Sequence, residues 1–337
     1  MSHSGQRLPG QRSAGGGGAS VSARCKGCGI VATVSIPVLL LGFNRPDRLN
    51  DLIDSLKTTR PPVMRVAVDG PRPTHPDDAR RVDETQAAVQ RIDWTDDVAT
   101  LFRDTNLGLE RAVPGAVSWA LEEFESVIVI EDDVGVGPQF IEFASKALKS
   151  FEHHHEIFHV SGYNVVPRAE LSRPDDASRL SRVPESFAWA TWRRAWQHYD
   201  PDLTWGTECS ISDLAEVLGS RLAAIRWKQN FSLARHRRIS SWAYRWSSSI
   251  WSEGGYCLSP NRNLITYRGY SGGTHTRRRA TWTEFPIEEL NLDEVGADAQ
   301  FDATADAYIQ RKVFRASPFN VALGPAEAVA LEALKRR

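Results

Sequence analysis

SVIVIEDD, residues 126–133, is the stretch on which the reading of this chain turns. Val127 to Ile130 form an apolar, β-branched run that reads as a core strand. Glu131, Asp132 and Asp133 follow without a break. Adjacent carboxylates repel one another, and Asp is depleted in strands. Three of them at the mouth of a hydrophobic strand call for a compensating cation. Two close carboxylates, completed by a ligand's phosphate oxygens, are the hard-oxygen surroundings that Mg²⁺ or Mn²⁺ prefers. The plainer alternative is a solvated acidic turn.

On either side of this stretch, short apolar runs alternate with helix-period segments. IPVLLLGF (36–43), VMRVAVDG (63–70), VATLFRD (98–104) and EIFHVSG (156–162) read as further strands. Between them, Leu49, Leu52, Ile53 and Leu56 share one helical face, 107–124 is mostly helix, a weak helix lies near 76–91, and 137–151 is another helix. Strands alternating with helices predict an α/β fold: a Rossmann-like, mostly parallel sheet flanked by helices, with right-handed crossovers. In such sheets ligands bind beyond the carboxyl ends of the strands. That puts Arg45, Asp69, Asn106 and Glu131–Asp133 on one rim. The Trp-rich stretch 185–290 reads as a mixed α+β half, and the rest as an acidic tail closed by an Ala/Leu-rich helix at 324–335. No internal repeat is evident.

Composition narrows the function. The 337 residues carry 41 Lys and Arg against 42 Asp and Glu, a formal net charge of −1. That balance argues against a general nucleic-acid binder, which would show a basic excess. The four cysteines, Cys25, Cys28, Cys209 and Cys257, are too few for a disulfide scaffold, and Cys25-Lys-Gly-Cys28 has no second pair to complete a zinc site. Residues 1–34 read as a disordered leader, with SAGGGGAS inside it. The longest apolar run, 29–43, is interrupted by Pro37 and falls short of the about 20 apolar residues a membrane span needs. Cleavage of a signal peptide there would cut the first core strand, so the expected location is cytoplasmic.

An ordered series of segments resembles the glycosyltransferases of the GT-A fold, most nearly N-acetylglucosaminyltransferase I-type enzymes and family-2-like bacterial sugar transferases. LLLGFNRPDRL looks like their first strand and turn, and AVDG like their second strand ending in Asp. RDTNLGL is similar to their Asn-Leu-Gly segment, VIVIEDDV to their Glu-Asp-Asp motif, and SFAWATWRRAW to their Trp-rich acceptor segment. CLSPNRNLITYRGYSGGTHT resembles their closing strand and His-containing loop. The match runs over about 36–276 and implies one domain over 35–290. Its donor half would be about 35–165, its acceptor half about 166–290, and 291–337 would be the tail.

The resemblance also implies roles. Arg45 and Asp69 would contact the nucleotide base region, with Asn106 on the same donor side. Asp132 would face the ribose, Asp133 would ligate Mn²⁺ or Mg²⁺, and Thr274 and His275 would meet the phosphates and the metal. The implied activity is metal-dependent, inverting transfer of a sugar from a UDP- or similarly linked donor to a carbohydrate or glycoconjugate acceptor, with no integral membrane segment. Sugars stack on aromatic rings, so Trp189 or Trp205 would line the acceptor pocket while most other tryptophans pack the core. RRR (277–279) reads either as a solvated loop or as a basic loop closing on a diphosphate. The sequence departs from the family in SSWAYRWSSSIW (240–251), where Ala243 stands at the expected position of the Asp that acts as base. Glu208 or Glu253 would then supply it. The alternatives are a nucleotide-sugar-binding homologue without turnover and, ranked last, a nucleotidyltransferase.

Overall fold

β1 (Val38–Gly42) contains no polar side chain and is buried almost throughout, as a strand covered on both faces of a sheet must be. The structure, a computed structural model, describes residues 35–268, 285–296 and 298–324. α1 (Pro46–Leu56) starts with Pro, whose missing N–H costs nothing in a first turn, and buries Leu49, Leu52, Ile53 and Leu56. β2 (Met64–Val68), α2 (Asp78–Ala87), β3 (Val98–Phe102), α3 (Leu109–Glu123) and β4 (Ser126–Glu131) continue the alternation. β5 (Val134–Val136), α4 (Phe140–Ser150) and β6 (Ile157–Ser161) follow. The second half comprises β7 (Ser178–Ser181), β8 (Ala188–Trp192), α5 (Arg193–Trp196), α6 (Thr204–Glu208), α7 (Ile211–Leu218), α8 (Arg221–Arg235), α9 (Ala243–Ser252), β9 (Tyr256–Pro260), β10 (Ile265–Tyr267) and α10 (Ala303–Lys312).

One sheet runs β3-β2-β1-β4-β8-β6-β9-β7, and β5 and β10 form a separate antiparallel pair. β1 to β4 are parallel to their neighbours. β8 runs against both β4 and β6, β9 runs with β6, and β7 runs against β9. Only β7 and β8 therefore oppose the common direction, and the fold is α/β with a mostly parallel sheet. One face packs Leu49, Leu52, Phe140 and Phe143 from α1 and α4. The other packs Val113, Ala116, Trp227 and Trp246 from α3, α8 and α9. Burial of this much apolar surface is the main force holding the layers together.

Residues 298–324, part of the expected tail, pack onto the same unit. Asp302 caps α10 and accepts from Ser172 N at 2.7 Å, while Asp306 accepts from Arg182 N at 2.7 Å. Gln310 Oε1 accepts from the buried Trp227 indole at 2.8 Å. The expected leader 1–34 and the expected helix beyond Gly324 lie outside the described residues. Among the described residues no helix is long and apolar enough to cross a membrane.

Candidate functional site

The strand order reverses between β1 and β4. From β1 the chain winds toward β2 and β3, and from β4 it winds the other way. At such a switch point the loops leaving two adjacent strands diverge and open a crevice at their carboxyl ends. β1 delivers Phe43, Asn44 and Arg45 to this crevice, and β4 delivers Glu131, Asp132 and Asp133. Arg45 Nη1 lies 3.3 Å from Asp132 Oδ1 and 3.5 Å from Asp133 Oδ2. The two Asp side chains are only 11% and 14% exposed, so one guanidinium serves two nearly buried carboxylates.

Burial dominates their electrostatics. It pushes Asp132 up to about 7, with Arg45 opposing and Asp133 reinforcing the shift. Asp133 is also raised by burial, again against Arg45. Glu131 is held well above the carboxylate range by burial and by the charges of Asp133 and Asp132. Asp133 Oδ1 is buried without a hydrogen-bond partner. A buried, unpaired carboxylate oxygen beside a second acid is a strained arrangement in a dry protein and a suitable one for a divalent cation. Among the described residues no three His, Cys, Asp or Glu side chains converge into a protein-only cage. Mg²⁺-type sites that use one or two carboxylates plus substrate phosphates need no such cage.

Asp69 and Asn106 are brought together, but chiefly to one another. The Asp69 carboxylate accepts from Gly70 N, Leu107 N, Gly108 N and Asn106 Nδ2 at 2.9 to 3.1 Å. Asn106 Nδ2 also donates to Gly70 O. With its oxygens committed to these donors and only 6% exposed, Asp69 staples the loop after β3 to the end of β2. Gly108, at φ +73°, then turns the chain into α3.

The opposite wall is the first turn of α9. The Trp242 indole, just ahead of that helix, lies against Glu131 and opposes the upward shift of its carboxyl. Its ring stacks on Trp189 at 5.1 Å. Arg245, one turn further on, donates to Glu110 Oε1 on α3 at 2.8 Å, to Pro201 O and to Ser241 O. Glu110 was not identified from sequence; no local pattern marks it, because its partner Arg245 lies 135 residues away.

Arg45, Asp132 and Asp133 thus share one crevice, with Asp69 and Asn106 on the same rim. Trp189 does not reach a surface: it is 0% exposed, sandwiched between His159 and Trp242, and the acceptor contact expected of it is corrected to a core role. Trp205 is half-buried on α6 among the helices of the same face. Glu208 ends α6, exposed. Glu253 follows the far end of α9, 3.4 Å from His198, and three residues later Tyr256 begins β9 beside Glu156, which precedes β6. That is the amino-terminal edge of the sheet. The ten residues of α9 span about 15 Å, so Glu253 is a helix length from the acids, and its expected role as base is corrected. Thr274, His275 and Arg277–Arg279 lie outside the described residues.

No family model matches the chain. No curated protein matches it either. Among solved structures, the apo form of the bifunctional glycosyltransferase WbbM is similar over 52% of this chain and 35% of its own, at 10% identity and a TM-score of 0.33. The match thus spans about a third of that chain's length, and the likeness is too slight to bear on function.

Proposed function

We propose that the protein is a metal-dependent glycosyltransferase of the GT-A type. It would move a sugar, with inversion, from a UDP- or similarly linked nucleotide-diphosphate sugar to a carbohydrate or glycoconjugate acceptor. The observation that supports this best is the nearly buried Asp132–Asp133 pair at the β1/β4 switch point, with an unpartnered Asp133 oxygen and Arg45 alongside. Asp133 would hold Mn²⁺ or Mg²⁺, which supplies Lewis acidity to a departing diphosphate. Arg45 fixes the two carboxylates and offers a cation to ligand oxygens. The Asp69 staple sets the position of α3, and Trp242 buttresses Glu131 from the acceptor side.

Titration calorimetry with UDP tests the site. Wild-type protein should bind UDP only with Mn²⁺ or Mg²⁺ present, and Asp133→Ala should lose that binding by at least an order of magnitude. Cation-independent binding unchanged by the substitution would refute the assignment. A second reading, nucleotide-sugar binding without turnover, is favoured by Ala243, which puts no carboxylate at the start of α9. Release of UDP from a UDP-sugar discriminates between the two.

A further inference from the structure

Attack of an acceptor hydroxyl on an anomeric carbon needs a group to take the hydroxyl proton. α9 offers none in its first turn, since Ala243, Tyr244 and Arg245 follow Trp242. Glu253 stands at the opposite edge of the sheet, as described above. The first turn of α9 nevertheless meets two carboxylates from other elements. Trp242 reaches Glu131, and Arg245, one turn along, reaches Glu110. Glu131 sits beside the proposed metal ligand and is shielded by Trp242. Glu110 differs on both counts. It lies in the first turn of α3, which opens at the same carboxyl-end rim, and its side chain is 17% exposed against 5% for Arg245.

We infer that Glu110 is the general base: the α3 carboxylate supplies at this rim what α9 lacks. This inference rests on the glycosyltransferase reading. As the acceptor oxygen bonds to the anomeric carbon, Glu110 accepts its proton. The bond from that carbon to the diphosphate breaks, and its electron pair leaves with the nucleoside diphosphate. Arg245 is the positioning residue. Its guanidinium is anchored on Pro201 O at 2.7 Å and Ser241 O at 2.8 Å, so it presents a fixed N–H to Glu110. Both arginine contacts, Arg245 at 2.8 Å and Arg237 at 3.9 Å, fall on Oε1, which leaves Oε2 for the proton. The ion pair also ties α3 to α9, so the base and the Trp242–Glu131 contact move together.

The test uses the full chain with Mn²⁺ and a panel of UDP-sugars, reading UDP release to water or to an added sugar acceptor. Glu110→Gln keeps an oxygen for Arg245 and removes the basic group. It should bind UDP as wild type does, while turnover falls about 10²–10⁴-fold. Glu110→Ala should recover turnover on adding formate, a small diffusible base, whereas Asp133→Ala should not. A merely structural Glu110 would show no such rescue. Equal turnover by wild type and Glu110→Gln overturns the assignment of the base and leaves the glycosyltransferase reading standing. Wild-type protein that binds UDP yet releases none from any UDP-sugar overturns both the assignment and the catalytic reading.

Discussion

His159 sits fully buried on β6, stacked against Trp189 at 5.1 Å. Its Nδ1 accepts from the Trp246 indole at 3.2 Å, and Nε2 is left to donate to Glu185 O at 3.3 Å. Burial pushes its pKa down to about 3, with the Glu185 contact opposing. An unfolded His titrates near about 6.5, so between those values the unfolded chain takes up a proton that the folded one refuses. Stability therefore falls as pH drops through that window. Urea midpoints measured from pH 7 to pH 4 should decline more steeply for wild type than for His159→Gln; parallel curves would refute the buried neutral His. Glu185, raised to about 8 by burial, has the opposite sign and costs stability as pH rises. The comparison with the variant isolates His159. Nothing in the string EIFHVSG distinguishes this histidine from a surface one, because its shift comes from rings contributed by β8 and α9.

At the scale of elements, the strands and the first helices were legible because their apolar residues recur at the periods that sheets and helices impose. The end of β4 was legible for a different reason: three acids after a β-branched run violate strand preferences, and the violation marked the crevice. The staple after β3 was not. Asp69 reads as a rim acid, yet its partners are backbone N–H groups of Leu107 and Gly108, which carry no side-chain signature. Gly70 is part of the same joint. A Cβ there would stand 2.5 Å from Thr105 backbone atoms and 2.6 Å from Arg103 O. Gly70→Ala should cost about 1–3 kcal/mol, as overpacking does, and thermal melting would measure it. Because the clash is with backbone that positions α3, UDP turnover should fall in the same variant. The direction of α9 was equally hidden. Its tryptophans announce a buried helix, but only the sheet topology tells which end meets the acids.

For the whole molecule, the sequence placed the α/β sheet correctly and left the strand order open, since no local pattern specifies that β8 inserts between β4 and β6. The role of residues 298–324 was likewise invisible. Their acids read as a polar tail, whereas Asp302 and Asp306 satisfy backbone and hydroxyl groups of the segment around β7. Removing residues 298–337 would strip those partners, leave Trp227 Nε1 without Gln310, and uncover the edge strand β7. Each buried group left unpaired costs about 1–3 kcal/mol, so the shortened chain should unfold at ambient temperature or fail to accumulate in soluble form. A truncated protein with wild-type melting behaviour would show the segment to be dispensable.

The antiparallel pairing of β8 with β4 joins Ile130 to Ala188 and Val129 to Trp189, partners nearly sixty residues apart in the chain. Contacts this far apart in the chain slow folding, because the entropy of loop closure is lost before they can offset it. Without β8, Trp189 is missing from its stack on Trp242, the ring that lies against Glu131. The electrostatics of the crevice therefore depends on both halves of the chain and not on β4 alone. A chain that stops short of β8 would carry the acid cluster and its Arg45 partner but not the aromatic wall that shields Glu131.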